Sequence, residues 1–248
     1  MVLPRVEWSV VIPAYNEALR LPAYLKDMVA YFEGRDAPYE LLVVDDGSTD
    51  GTAERVREIA AGRPFIGAHA LPANRGKGAA VREGMRRARG ALRLMADADG
   101  ATPIGEVERL EGAIRRGADL AVGSRVLRDP TVVRQTRLHR RLSGHVFNFI
   151  VRRLGVSGVV DTQCGFKLFR GPVADDLFAA LSTDGFGFDV ELLLLAQRRG
   201  YRVVEVPISW VDQPGSKVGV LSDGPRMLRD ILAARWRLSR RGAPRSRT

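Results

Sequence analysis

One cysteine in 248 residues, Cys164, leaves no intramolecular disulfide framework and no cysteine-ligated zinc cluster. A lone thiol fits a reducing compartment. Nowhere do 18 apolar residues follow one another, so no helix long enough to span a bilayer is expected. The opening MVLPRVEWSVVIP has no charged head, extended apolar core or small-residue cleavage site of a secretory signal. The three histidines, His69, His139 and His145, stand at no metal-ligand spacing and beside no evident nucleophile, so surface or ordinary structural roles fit them. No G-x-G-x-x-G follows the first apolar run, which counts against a dinucleotide oxidoreductase. The P-loop spacing G-x-x-x-x-G-K-[ST] is missing, and so is the G-x-S-x-G of acyl-transfer enzymes.

An apolar fraction of 45% and a charged fraction of 27% are those of a folded globular protein, and the length suits one large α/β domain. The formal charge of +10 is concentrated in two places. Residues 134–153 carry six arginines and no acid, and residues 226–248 carry eight arginines against Asp230 alone. The remainder of the chain is net acidic. A polyanion is the natural partner of such segments, and both nucleic acid and an anionic membrane surface qualify. Sparse interleaving of basic and aromatic residues argues against the nucleic-acid reading.

Strand and helix patterns alternate through the first half. WSVVIP, YELLVVDDG, FIGAHAL, ALRLMADADG and DLAVGSR read as buried strands. Between them lie helical patterns: Leu21, Leu25, Met28 and Phe32; Thr52 to about Ala61; GKGAAVREGMRRA; and PIGEVERLEGAIRRG. This alternation predicts a parallel sheet covered by helices on both faces. Later, Leu138, Leu142, Val146, Phe149, Ile150 and Leu154 recur at helical spacing among arginines. DTQCGFKLFR reads as a buried strand with polar groups, FDVELLLLAQRRG as a buried helix, YRVVEVPISWV as one strand, and PRMLRDILAARWRLSRR as a basic amphipathic helix. No internal repeat and no linker divides the chain.

Ligands of such sheets bind beyond the carboxyl ends of the strands, where the acidic pairs fall: Asp45 and Asp46, then Asp97 and Asp99. In DADG, two carboxylates one residue apart could share Mg²⁺ or Mn²⁺, or form a turn that caps the next helix. VDDGSTDGT could be a second metal loop, a helix cap, or a contact for base and ribose. NRGKG sets Arg75 and Lys77 among glycines before a helix, a loop that lets N–H groups and cations approach an anion. Asp189 could complement a helix dipole or act as a base. In DTQCGFKLFR, either Cys164, Phe166 and Phe169 fill a core while Lys167 and Arg170 reach solvent, or Asp161, Gln163 and Lys167 aim at something charged.

Taken in order, VVIPAYNE, VVDDGSTDGT, NRGKGAAVREGM, DADGATP and GSR resemble the family 2 inverting glycosyltransferases over residues 8–125. DTQCGFKLF, FGFDVELLLLAQRRGYRVVEVPISW and GSKV look like one branch, the dolichyl-phosphate β-glucosyltransferases, close to the polyprenyl-phosphate mannose synthases; the likeness extends to about residue 218. It implies a glycosyltransferase A-type fold, Rossmann-like and mostly parallel with helices on both faces. A single domain is expected over 1–218, with a nucleotide-binding half at about 1–125, an acceptor half at about 126–218, and a basic amphipathic tail at 219–248. The implied reaction is metal-dependent, inverting transfer of glucose from UDP-glucose to a polyprenyl phosphate, with GDP-mannose as the alternative donor.

The same resemblance assigns Pro13, Tyr15, Glu17, Asp46, Arg75, Lys77 and Asp97 to the nucleotide, and Asp97 and Asp99 to Mg²⁺ or Mn²⁺. Arg125, Arg141, Ser143 and Gln163 fall to the acceptor, with Lys167 expected there too. Asp99, Asp189 and Lys167 form the catalytic set, and Cys164 is packing. No N-terminal anchor of the kind usual in eukaryotic members of the branch is expected, and no Q-x-x-R-W signature of processive synthases occurs. Its expected place is cytoplasmic, peripheral on the inner membrane face, with Met227, Leu228, Ile231, Leu232 and Trp236 entering the leaflet or the helix packing on the enzyme body.

Overall fold

A computed structural model describes residues 6–135, 156–213 and 220–240. Seven strands form one sheet in the order β3-β2-β1-β4-β7-β5-β8. They are β1 (Trp8–Ala14), β2 (Tyr39–Asp45), β3 (Ile66–Ala70), β4 (Leu92–Ala96), β5 (Leu120–Ser124), β7 (Phe166–Arg170) and β8 (Val203–Pro207). A two-stranded ribbon pairs β6 (Arg134–Gln135) with β9 (Trp210–Val211). The helices are α1 (Leu21–Glu33), α2 (Thr52–Ala60), α3 (Lys77–Arg87), α4 (Val107–Arg115), α5 (Gly171–Ala180), α6 (Phe188–Arg198) and α7 (Val220–Arg240).

The period-2 alternation of the strands builds two cores, one on each face. Val10, Ile12, Leu94 and Leu168 pack with Leu21, Leu25, Met28 and Phe32 of α1 and with Leu110 and Ile114 of α4. Val11, Met95 and Phe169 face the other way, onto Val81 and Met85 of α3, Phe178 of α5 and Leu192 of α6. Every residue of β1 is buried, as a central strand requires, whereas β3 at the edge alternates.

One expectation holds and one is corrected. The sheet is mostly parallel, with β7 alone antiparallel to its neighbours, β4 and β5. A strand buried on both faces reads alike in either direction, so its apolar run could not give its sense. YRVVEVPISWV is two strands: β8 ends at Pro207, and Ile208 N–H turns aside to the Ser124 carbonyl before Trp210 joins the ribbon.

Candidate active site

Chain progression reverses at β1, with β2 and β3 on one side and β4 on the other. β1 pairs with β2 along its whole length but with β4 only from Trp8 to Val11. Pro13, which has no N–H to give a ladder, lies just past that last pair. The two strands therefore part at their carboxyl ends, and the cleft they open is where ligands bind in doubly wound sheets. β7 enters the sheet from this edge, because Phe166 pairs with Ala96. The preceding segment, Asp161–Gly165, thus lies at the mouth, which explains the polar groups ahead of a buried strand.

The first two loops brace each other. Asn16, at a positive φ of 53°, donates its N–H to Ser48 Oγ (2.8 Å) and accepts the Thr49 N–H at Oδ1 (2.8 Å). Glu17 N–H reaches Thr52 Oγ1 at 2.7 Å, and Ala18 N–H reaches Asp50 at 3.1 Å. Asp45 accepts from Ser48, and Asp50 caps α2 through the Thr52 N–H. VDDGSTDGT is thereby a loop brace and helix cap. Asp46, expected at base or ribose, is buried beneath NRGKG: its two oxygens accept the N–H groups of Arg75 and Gly76, each at 2.8 Å. Burial raises its pKa, against the pull of those N–H groups and of Arg75.

A file of alternating charges leads from the core to the cleft. Lys167 has no solvent exposure; its Nζ donates to the Cys164 carbonyl (2.7 Å) and to Asp189 Oδ1. It therefore does not reach the acceptor expected of it, because β7 is a central strand covered on both faces and α6 lies over Lys167. Burial raises the Asp189 pKa, opposed by Lys167 and by Lys77. Lys77 Nζ stands 2.6 Å from Asp97 Oδ1. Burial alone would lower the Lys77 pKa, but Asp97, Asp189 and Asp99 together raise it. Arg20, which the sequence reading passed over, feels Asp99 and Asp97 as well as its ion-pair partner Glu17. The signal for it was local, an E-x-x-R step entering α1.

Asp97 and Asp99 are half-buried at the end of β4. A Cβ on Gly165 would lie 1.9 Å from Asp97 Oδ2, so only glycine lets β7's approach share this space. Burial and the neighbouring Asp97 raise the Asp99 pKa, while its Oδ1 accepts the Ala101 N–H at 3.0 Å. Asp97 Oδ1 is a buried oxygen whose close partner is the Lys77 ammonium. Two carboxylates one residue apart at a strand end, the second repelled by the first, offer the oxygen ligands that a hard divalent cation prefers. No cluster of three or more acid, histidine or cysteine ligands occurs among the described residues.

Across the mouth, Arg125 follows β5. Its Nε and Nη2 donate to the two oxygens of Asp161, both at 2.8 Å, and its own N–H adds a third bond at 2.9 Å. Asp161 is held in turn: Glu205 accepts the N–H groups of Val160 and Asp161, each at 2.8 Å. Burial would raise the Asp161 pKa, but Arg125 takes it below the usual carboxylate range. The guanidinium keeps 35% of its side-chain surface exposed, lies 5.6 Å from the Trp210 ring centre, and feels Asp97. Asp161 therefore positions Arg125 and does not itself face a ligand.

Tyr15 is exposed at the rim, and Gln163 donates to the Phe186 carbonyl at 3.3 Å. Arg75 is half-exposed, 3.5 Å from Asp184. Cys164 is buried, its pKa pushed up to about 12, in keeping with packing. Arg141, Ser143 and the arginine-rich pattern of 137–153 lie outside the described residues. Of the two expectations for the basic helix, Met227 and Ile231 follow the second and are buried against the body, because α7 docks on α6; Leu232 and Trp236 are exposed.

The glycosyl transferase family 2 pattern matches residues 9–178. Dolichyl-phosphate beta-glucosyltransferase of Dictyostelium discoideum is 38% identical over 241 residues, covering 92% of this chain and 74% of that protein. The Homo sapiens enzyme of the same name is 37% identical over 247 residues, covering 94% and 76%. Glucosyl-3-phosphoglycerate synthase from Mycobacterium tuberculosis, solved with UDP, superposes with a TM-score of 0.70 at 20% identity, covering 93% of this chain and 80% of that one. Its complex with Mn²⁺ and UDP-glucose gives 0.65 at 22% identity, covering 97% and 81%. These structures share the glycosyltransferase A fold. With its sheet, its split carboxyl edge and its relatives in accord, the chain belongs to glycosyl transferase family 2, alongside the dolichyl-phosphate beta-glucosyltransferases.

Proposed function

We propose that this enzyme transfers glucose from UDP-glucose to a polyprenyl phosphate with inversion, giving a β-linked polyprenyl-phosphate glucose. The observation that carries the reading is the division of charge across one cleft: Asp97 and Asp99 on the β4 side, and Arg125, a third exposed and clamped by Asp161, on the β5 side. Asp97 and Asp99 would hold Mg²⁺ or Mn²⁺, which when bound takes up the negative charge developing on the departing diphosphate. Arg75 and Lys77, on the loop pinned by Asp46, face the donor phosphates. Arg125 holds the acceptor phosphate away from the donor diphosphate and offsets their repulsion.

A phosphate monoester carries negative oxygen at neutral pH, so no residue need remove a proton from it. One such oxygen bonds to sugar C1 as the bond from C1 to the UDP oxygen breaks, and UDP leaves with the electron pair. Attack opposite the leaving group converts an α-linked donor into a β product. Asp189 is fixed by Lys167 to align Lys77, and Lys167 is a positioning residue. An acceptor with a lipid tail places the work at a membrane surface; among the described residues no helix is long and apolar enough to cross one.

The test is transfer from a panel of nucleotide sugars to a short polyprenyl phosphate, with Mn²⁺ or Mg²⁺ and with EDTA. Product from UDP-glucose that disappears with EDTA is expected; product from GDP-mannose alone would overturn the donor, and no transfer to any polyprenyl phosphate would overturn the acceptor. Asp99→Asn should lower turnover by orders of magnitude with an unchanged unfolding temperature.

A further inference from the structure

Helix α7 has two apolar faces, and among the described residues only one of them is covered. Met227, Ile231, Ala234 and Leu238 are buried, and Ile231 and Leu238 belong to the core shared with α5 and α6. The same side is locked polar-wise: Arg237 donates to Thr183 Oγ1 at 3.1 Å, and Asp230 fills the space beside Gly185 and Gly187. At 100° per residue, Leu228, Leu232 and Trp236 form a second stripe, at i, i+4 and i+8, more than a quarter-turn away from the buried one. Leu232 is 49% exposed and Trp236 57% exposed.

This stripe is flanked on one side by Arg235 and on the other by Arg229 and Arg240, all exposed. The Arg240 guanidinium lies over the Trp236 ring, 4.1 Å from its centre. From residue 226 to residue 240 the helix carries five arginines against one acid, Asp230, which sits beside Gly185 and Gly187 on the docked side and lies 3.7 Å from Arg229, so cations predominate around the exposed apolar strip. A strip three side chains long is too narrow for a protein partner's core, but an aromatic and a leucine between arginines match the boundary between headgroups and acyl chains of an anionic leaflet.

We infer that the Leu228–Leu232–Trp236 face of α7 docks the enzyme on anionic lipid, with the buried face fixing the bound orientation of the catalytic body. The inference rests on the proposed lipid-linked acceptor for its purpose, not for its observations. It also ties docking to the site: α7 packs against residues 183–187, and the Asp184 carbonyl accepts the Ala79 N–H at the start of α3, two residues from Lys77.

The full chain would be sedimented with vesicles of phosphatidylcholine alone and of phosphatidylcholine with phosphatidylglycerol, without nucleotide sugar or polyprenyl phosphate. Wild-type protein should pellet with the anionic vesicles and stay in solution with the neutral ones, with Trp fluorescence shifted to the blue. Leu232→Ser with Trp236→Ser should lower the partition coefficient at least tenfold, and Arg229→Gln with Arg235→Gln should remove its dependence on anionic lipid. Both variants should keep the wild-type unfolding temperature and transfer to a detergent-dispersed short acceptor. Unaltered vesicle binding by both variants would overturn the inference. So would a dimer that the Ser variant abolishes while vesicle binding persists, or tighter binding to duplex DNA than to anionic vesicles. Vesicle binding without sugar transfer would leave docking standing and remove only the proposed reaction.

Discussion

At the scale of single residues, the site pairs its cations with acids, and for Arg125 and Lys167 the acid is buried. Arg125 is the clearest case, because Asp161 holds both prongs of its guanidinium and Glu205 holds Asp161's backbone. Asp161→Asn would leave that cation without its counter-charge. Breaking such a pair costs roughly 3–5 kcal/mol when fully buried; with Arg125 a third exposed, roughly 2–3 kcal/mol of unfolding free energy is expected by denaturant titration. The pH dependence follows from the lowered Asp161 pKa. A carboxylate depressed in the folded state contributes fully above its unfolded pKa of about 4 and loses that contribution as pH falls through the folded value. The gap between wild type and variant should therefore hold steady from about pH 8 to about pH 5 and close only in stronger acid. A gap that widens on acidification would contradict the assignment.

At the scale of elements, glycines set how closely helix and loop approach the sheet. In α3, a Cβ on Gly84 would lie 2.3 Å from Val11 Cγ1 and 3.0 Å from Val44 Cγ2. Gly84→Ala, which helix propensity favours by up to ~1 kcal/mol, should instead destabilise by about 1–3 kcal/mol through overpacking. Val11→Ala in the same chain should recover part of that loss in thermal unfolding. At the head of α3, a Cβ on Gly78 would meet the Thr183 carbonyl at 2.4 Å. The glycines of NRGKG thus serve contact with the 183–185 segment as well as any anion.

Much of this was legible beforehand. Continuous apolar runs located the strands, the Leu21–Phe32 spacing located α1, and paired acids marked the carboxyl edge. What pattern could not supply was direction and depth. The antiparallel sense of β7, its central place that buries Lys167, and the register that seats Gly165 on Asp97 depend on long-range pairing no local spacing encodes. Asp46 was legible as an acid at a strand end, but not as the support of the Arg75–Gly76 turn.

At the scale of the molecule, one continuous sheet joins the β1–β4 side, where the donor would lie, to the β5–β8 side, where Arg125 and Trp210 stand. The C-terminal helix is part of that body, since Ile231 and Leu238 share its core, while its second face is uncovered among the described residues. The account assigns donor and acceptor to separate walls of one cleft, so the two should be separable in kinetics. The most direct measurement is the steady-state transfer rate of Arg125→Lys, varying UDP-glucose and a short polyprenyl phosphate independently. Lysine keeps the charge but not the two-pronged geometry. The account predicts an acceptor KM raised roughly tenfold, with the KM for UDP-glucose within about twofold of wild type. A raised KM for UDP-glucose with an unchanged acceptor KM would place Arg125 on the donor and contradict the account.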